Sequence, residues 1–521
     1  MSAVPDVEEA DIVVVGFGGA GAACAIAAAD HGASVIVLEK QPEDRHTPST
    51  YMSGGIVMGV NDVDRAAAYM DRCAGGMIPP AVSRAWATMA ADLVGWLDRI
   101  GADLALVKVG EGENTQFEGA DAVEAWTQSR PPDEGPLVRD LSAPTTVGAM
   151  ASGMNTGEAG RRTGAEYFAS LRRVVAARER IRVRYDSPAR RLIQDQTGRV
   201  TGLRTADGSE VRARRGVVLT CGGYEWNDEI KINALKASPV YFYGNPGNTG
   251  DGIRMAQAVG ADLWHMNQMI GRAIGHFEED GQDYNFVIGI HPPGYLITDK
   301  YGQRFANEVS QAQMKHSFYY ELLKYDAEKQ EYPRNPCYWV FDERRLKAAP
   351  LVSLGSGFVR AGYYDWSPDN SREIEKGWIK KADSVAELAK LAGIEDPAAL
   401  AETVARYNAG CAAGNDEFGR PADTLVPLDS PPYYCVAMFP GGSNTCGGPR
   451  KDERARVLDA FGEPIPGLYA AGELGEAVGL LYPANGANLS ESICFGRIAA
   501  ADALGVDPLS SSSSSSPSSS G

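Results

Sequence analysis

Three glycines and one acid carry the first piece of chemistry in this chain. Gly16, Gly18 and Gly21 stand in Gly-x-Gly-x-x-Gly spacing directly behind the apolar run Ile12-Val13-Val14-Val15, and Glu39 follows 18 residues after Gly21. The first glycine makes a tight turn, the second lets the backbone approach a pyrophosphate, and the third lets a helix pack on a strand. The alanine-rich run from Gly21 to Asp30 reads as that helix, whose N-terminus offers unpaired N–H groups and a positive partial charge. Gly32 ends it, and Ser34 to Leu38 forms a second strand that carries Glu39 at its end. A carboxylate in that place accepts a ribose hydroxyl and repels a 2′-phosphate. The pattern predicts a site for an unphosphorylated dinucleotide.

A second glycine-rich stretch lies near the other end. It comprises Gly467-Leu468-Tyr469-Ala470-Ala471-Gly472-Glu473 and, further on, Tyr482-Pro483-Ala484-Asn485-Gly486-Ala487-Asn488. A return of this kind to the first domain closes it around a flavin, and no second Gly-x-Gly-x-x-Gly unit offers a place for a nicotinamide nucleotide. One tightly held flavin is expected, with another electron carrier completing the cycle. Asn488-Leu489-Ser490-Glu491 reads as a helix start, with Asn488 as N-cap and Glu491 as its capping-box partner.

The elements that must position these residues follow from pattern. The run 11–39 is one β-α-β unit, its first strand apolar throughout as a strand buried on both faces should be. Residues 80–105 and 158–178 read as helical. Thr201 to Arg204 and Glu210 to Ala213 bracket Asp207-Gly208 as a hairpin, and Gly216 to Thr220 is a further buried strand. The stretch 275–430 is richer in Tyr, Pro and charge, with helices expected at 383–392 and 398–413, and reads as an inserted domain. The expected division is therefore 1–274 and 431–508 for the dinucleotide domain around a 275–430 insertion. Residues 509–521 are almost all serine, cannot bury a core and are expected to be disordered.

Bulk properties exclude several classes. The chain has 521 residues, too many for one ordinary core, and 44% hydrophobic with 23% charged residues is a globular composition. A net charge of −18 argues against a nucleic-acid partner. No apolar run reaches the roughly 18 residues of a membrane span, and the acidic first ten residues do not form a signal peptide. None of the eight cysteines has Cys-x-x-Cys spacing, so no metal or haem signature is present, and a reducing, cytoplasmic location is expected.

Several segments, in one consistent order, resemble the FAD-dependent fumarate reductase and 3-ketosteroid dehydrogenase flavoproteins. They are the fingerprint with Glu39-Lys40; Ser49-Thr50-Tyr51-Met52-Ser53-Gly54-Gly55; Gly222-Gly223-Tyr224-Glu225-Trp226-Asn227; and Asn248-Thr249-Gly250-Asp251-Gly252. Gly302 to Glu308, Asn444 to Pro449 and Gly467 to Glu473 complete the set. The resemblance implies an α/β fold with an α+β cap. Its Rossmann-like FAD-binding domain would be formed by both chain ends and interrupted by a capping and catalytic domain. It also implies non-covalent FAD, since His46 lacks the context of the relatives that attach flavin through histidine. By this likeness the flavin would contact Gly16, Gly18, Gly19, Ala20, Gly21, Glu39, Lys40, Ser49, Thr50, Ser53, Gly54 and Gly55. Further contacts would come from Ala189, Gly222, Asp251, Glu473, Asn488 and Leu489.

Departures from the family select a subgroup. Fumarate reductases place a histidine where this chain has Asn444, a proton-donating arginine where it has Ala312, and a carboxylate-clamping arginine near Pro483. Without those cations a small dicarboxylate lacks a matched site. Tyr482-Pro483-Ala484-Asn485-Gly486 is instead similar to the Tyr-Pro-x-x-Gly segment of the ketosteroid 1-dehydrogenases, in which the Tyr hydroxyl and the Gly N–H hold the substrate ketone. That subgroup's tyrosine base is replaced by Ala312, and His316, Tyr319 and Tyr320 are the candidates to stand in for it. On a helix Ala312, His316 and Tyr319 would share one face. The implied activity is formation or reduction of a C=C bond beside a ketone in a steroid or similar polycyclic substrate, with an unidentified electron acceptor or donor. Two alternatives stay open. One is an enoate reductase, with Arg304 or Arg272 serving as the cationic clamp. The other is a non-catalytic, redox-responsive flavoprotein. Arg304 and Glu308 otherwise read as a structural ion pair, and Cys446 as a packing residue.

Overall fold

In the computed structural model, residues 7–128, 164–289, 293–309, 316 and 318–509 are described. The first strand, Val7–Val15, lies in the middle of a sheet, paired in parallel with Val35–Leu38 on one side and Glu210–Leu219 on the other. Residues Ile12 to Val15 are at most 5% exposed. Side-chain alternation sorts them into two layers. Ile12, Val14, Val35 and Val37 pack on the layer holding the helices Gly19–Asp30 and Ala487–Ala503, while Val13, Val15, Ile36 and Leu38 face the opposite core.

The strand order across this sheet is Arg456–Leu458, Pro464–Ala470, Glu210–Leu219, Val7–Val15, Val35–Leu38 and Ile181–Arg184. Pro464–Ala470 runs parallel to Glu210–Leu219, with Leu468 opposite Val217. Both chain ends therefore build one Rossmann-like sheet. The hairpin pairs Val200–Thr205 with Glu210–Leu219, and Gly208 takes the left-handed turn position at φ +89°. The two runs read separately at 210–213 and 216–220 are one continuous strand, because Val7–Val15 pairs along its whole length.

The 80–105 segment is not a single helix. It forms Pro80–Ala91 and Leu93–Arg99, and left-handed backbone at Gly101, Asp103 and Ala105 then ends helical structure. Helix Gly164–Ala176 falls in the expected 158–178 stretch, whose first six residues lie outside the described residues. The serine-rich 510–521 also lies outside them, as does Ala312.

A second, largely antiparallel sheet has the order Gln282–Val287, Met269–Glu279, Tyr433–Thr445, Cys337–Asp342 and Tyr295–Thr298. Its strands begin before 275 and end after 430, since apolar strands carry no compositional mark of the domain they join. Helices Val385–Ala392 and Pro397–Ala413 start at Ser384 and Asp396, whose side chains accept N–H groups of the first turn. Leu388, Leu400 and Val404 pack these helices on Leu296, Tyr338 and Val340 of the sheet. Among the described residues no helix is long and apolar enough to cross a membrane.

Candidate active site

One large cavity runs between the two sheets and is walled by both chain ends. At one end the helix Gly19–Asp30 presents its N-terminus, with Gly18 as N-cap and no side chain capping it. A Cβ on Gly18 would meet nothing nearer than 3.8 Å, so that face is open. By contrast, a Cβ on Gly21 would lie 2.1 Å from the Gly16 oxygen, and one on Gly16, at φ +101°, would lie 2.6 Å from the Thr220 oxygen. Gly16 and Gly21 are thus steric requirements of helix against strand, and Gly18 is the opening. Thr50 Oγ1 accepts the Gly19 N–H at 2.8 Å and fixes the segment below.

Glu39 lines the same end and is 7% exposed. Its Oε2 accepts the Phe17 N–H at 2.9 Å and its Oε1 accepts the Gln41 N–H at 2.8 Å. Burial alone would raise its carboxyl, but His46 at 3.4 Å and these two N–H groups hold it below the ordinary glutamate range. It stays an anionic acceptor. His46 itself stacks on Phe17, ring centroids 5.6 Å apart, and does not line the cavity. Lys40 Nζ binds Asp251 at 2.6 Å and Thr249 at 2.9 Å across the rim. Midway along the cavity, Glu473 Oε2 accepts from Ser49 and Asn248, each at 2.9 Å. Burial and the nearby Glu225 carboxyl push Glu473 up to about 8.

At the far end the helix Ala487–Ala503 is capped by Gly486 at φ +86°, and not by Asn488 as the sequence pattern suggests. The left-handed turn at Gly486 is forced by packing, since a Cβ there would sit 2.6 Å from the Ile56 oxygen. Asn488 is displaced to the second helical position. Its N–H donates to the Tyr482 hydroxyl at 3.2 Å and its Nδ2 to Asn444 Oδ1 at 2.7 Å. Nor does Glu491 serve a capping box: it is buried, paired with Lys451, and accepts the Gly472 N–H at 2.9 Å.

Burial holds the Tyr482 phenol well above the ordinary tyrosine range. It remains protonated, a donor and not a base. The His316 ring lies 4.6 Å from the Tyr482 ring in an edge-on arrangement. Its Nδ1 sits 3.3 Å from the Gly271 oxygen, and a carbonyl can only accept, so Nδ1 carries the hydrogen and Nε2 is the basic nitrogen of the neutral ring. Tyr319 does not join the site. It is 4% exposed in the opposite core, lying against Gly271, where an added Cβ would come within 2.5 Å of its ring. The helix that holds it begins only at Phe318.

All the expected site residues line the cavity except Gly21, Tyr319 and Tyr320. Residues that the sequence reading overlooked hold the Tyr482 loop. The Tyr69 hydroxyl donates to the Pro483 oxygen at 2.6 Å, and Asn114 Nδ2 donates to the Tyr482 oxygen at 2.9 Å. No motif marks either, because they meet the loop only through folding. Tyr243, Ser353 and Ser356 also line the cavity unannounced. Of the two arginines considered as clamps, Arg304 is locked by Glu308 at 2.6 Å and Asp416 at 2.7 Å with its side chain 1% exposed, whereas Arg272 lines the cavity.

These features suit FAD. The open cradle at Gly18 suits a pyrophosphate and the anionic Glu39 a ribose, while Asn488 Oδ1 is a buried acceptor in the cavity wall with no partner among the described residues. A dinucleotide cradle opening into a chamber walled by a second sheet defines a flavin-dependent oxidoreductase. Residues 11–489 match the FAD binding domain family, and the chain belongs to that family. It is an FAD-dependent oxidoreductase. The chain is similar to 3-oxosteroid 1-dehydrogenase of Mycobacterium tuberculosis, 29% identical over 95% of this chain and 98% of that one. It is similar also to 4-oxocyclohexanecarboxylate 2-dehydrogenase of Sinomonas cyclohexanicum, 31% identical over 64% of this chain and 60% of that one. Among solved structures, the fold is similar to that of 3-ketosteroid delta1-dehydrogenase from Sterolibacterium denitrificans in complex with 1,4-androstadiene-3,17-dione. The TM-score is 0.79 at 24% identity, covering 96% of this chain and 100% of that one.

Proposed function

We propose that the protein forms or reduces a C=C bond beside a ring ketone, steroid-like or smaller, with the ketone oxygen held by the Tyr482 hydroxyl and the Gly486 N–H. The bond from the Asn488 N–H to the Tyr482 oxygen carries this reading. It occupies the acceptor side of the phenol and leaves the phenolic hydrogen for a ligand oxygen. Gly486 is the N-cap of the helix Ala487–Ala503, and the amides at that end lack intrahelical partners. Two such donors stabilise the enolate oxygen that develops as the α carbon loses or gains a proton. His316, with Nε2 as its basic nitrogen, takes or returns that proton. Ile270, Val287 and Ile288 line the chamber and exclude water. FAD, when bound, supplies the partner for hydride at the β carbon.

The ring ketone is common to the named substrates of the two sequence relatives, which supports the same class here. In this reading FAD lies along Gly16 to Ala20, Glu39, the Ser49 to Gly55 segment, Ala189, Gly222, Glu473 and Asn488-Leu489, and is non-covalent because His46 is packed away from the cavity. The inserted cap, expected at 275–430, is taken to include Met269–Glu279 and Tyr433–Thr445. The eight unpaired thiols support a cytoplasmic location. Anaerobic mixing of the FAD-loaded protein with saturated 3-ketosteroids and with cyclohexanones should bleach the flavin. No bleaching by any ketone, and no reoxidation of reduced flavin by any enone, would refute the proposal.

A further inference from the structure

Arg272 lies on the strand Met269–Glu279 and lines the chamber, yet its side chain forms no ion pair or hydrogen bond among the described residues. Its Nε is buried without an acceptor, and its one contact of note is the Tyr243 ring, 5.9 Å from the guanidinium carbon. Arg345, Arg360, Arg420 and Arg497 also keep one buried nitrogen without an acceptor, but each is tied down through another nitrogen, as Arg345 is to the Gly289 oxygen and Arg360 to Glu166. Arg304 binds Glu308 and Asp416, Arg420 binds the Tyr295 and Thr424 oxygens, and Arg497 binds Asp92. Arg272 differs in having no side-chain bond at any nitrogen while lining the chamber, and a cation left so in a cavity wall suits an acceptor that arrives with the ligand.

The position says which ligand. The dinucleotide cradle at Gly18 is at the opposite end of the cavity from Tyr482. Next to Arg272, the Gly271 oxygen faces His316, whose ring contacts that of Tyr482. Arg272 therefore belongs to the substrate end. Gly271 turns toward Tyr319 and the opposite core, and alternation along the strand turns Arg272 into the chamber. The chamber thus has three parts: a neutral donor pair at Tyr482 and Gly486, an apolar wall at Ile270, Val287 and Ile288, and an uncompensated cation.

We infer that the substrate is a ring ketone bearing a carboxylate, with the ketone at Tyr482 and Gly486 and the carboxylate on Arg272. This rests on the ring-ketone reading above and deepens it. Planar guanidinium and carboxylate match in a two-pronged hydrogen bond, which a neutral steroid could not use.

The test compares 4-oxocyclohexanecarboxylate with its methyl ester, which keeps the ketone and loses the charge. With the FAD-loaded protein, kcat/KM measured by anaerobic flavin bleaching is expected to favour the acid by about 10²-fold, the scale of a charged hydrogen bond. Arg272→Gln should bring the acid-to-ester ratio to about 1, and Arg272→Lys, which keeps the charge, should retain part of it. A ratio near 1 in the unaltered protein, or one that survives Arg272→Gln, overturns the inference. If Arg272→Gln does not fold, the unaltered protein and Arg272→Lys still decide. Bleaching by the ester with no advantage for the acid defeats this inference alone. Bleaching by neither defeats the ring-ketone reading and this inference with it.

Discussion

Replacing Tyr482 with phenylalanine removes a single oxygen from the centre of the proposed chemistry. That oxygen accepts the Asn488 N–H at 3.2 Å and, as a phenol kept protonated by burial, has one hydrogen to give. Losing one of two donors to a developing oxyanion costs about 10²–10³ in rate. The structural cost is smaller. The ring keeps its place against the core and the His316 ring at 4.6 Å, and only the Asn488 N–H loses an acceptor, about 1 kcal/mol. Rate and stability should therefore separate. In stopped-flow bleaching at saturating ketone, Tyr482→Phe should slow by about 10²-fold or more, while Tm falls by only a few degrees and the flavin-to-protein absorbance ratio holds. The unaltered protein should show no tyrosinate limb in its pH–rate profile between about pH 7 and 9, because the phenol titrates well above its ordinary value. A fall of less than tenfold with unchanged Tm would mean that Tyr482 does not polarise the ketone. A matching loss of bound flavin would mean that its role is structural.

The cradle separates two glycines that look alike in sequence. Gly21→Ala puts a Cβ 2.1 Å from the Gly16 oxygen and should yield protein with lowered Tm and little flavin, whereas Gly18→Ala, with nothing nearer than 3.8 Å, should keep Tm and weaken only FAD binding. Equal Tm losses would contradict this. Glu473 makes flavin-free stability depend on pH. Its carboxyl lies at about 8 folded against 4.5 for an ordinary glutamate, so the folded state binds the proton more tightly. Its contribution is present below the unfolded value and is lost as pH rises through the folded one. Tm of the flavin-free protein should fall from about pH 5 to 8.5, and Glu473→Gln should remove part of that fall; an identical slope in both proteins would count against it.

What the amino-acid sequence determined by itself was local. Gly16, Gly18, Gly21 and Glu39 declare a dinucleotide because each role is set by backbone geometry within one β-α-β unit, and Ile12 to Val15 declare a doubly buried strand by composition alone. Tyr482 and Gly486 were legible through a short resemblance. The rest depended on contacts between distant segments. Asn488 reads as an N-cap from its neighbours, but Ile56 and Val57, more than four hundred residues earlier, force the turn onto Gly486. His316 and Tyr319 look interchangeable in a row of aromatics, yet only His316 reaches the Tyr482 ring, because Tyr319 is committed to the core beside Gly271. Arg304 and Arg272 are equivalent as residues. Folding brings Glu308 and Asp416 to the first and leaves the second facing the chamber without a counter-charge among the described residues. Charge is read from a residue's type, but whether that charge is spent internally or kept for a ligand depends on which neighbours the tertiary structure delivers.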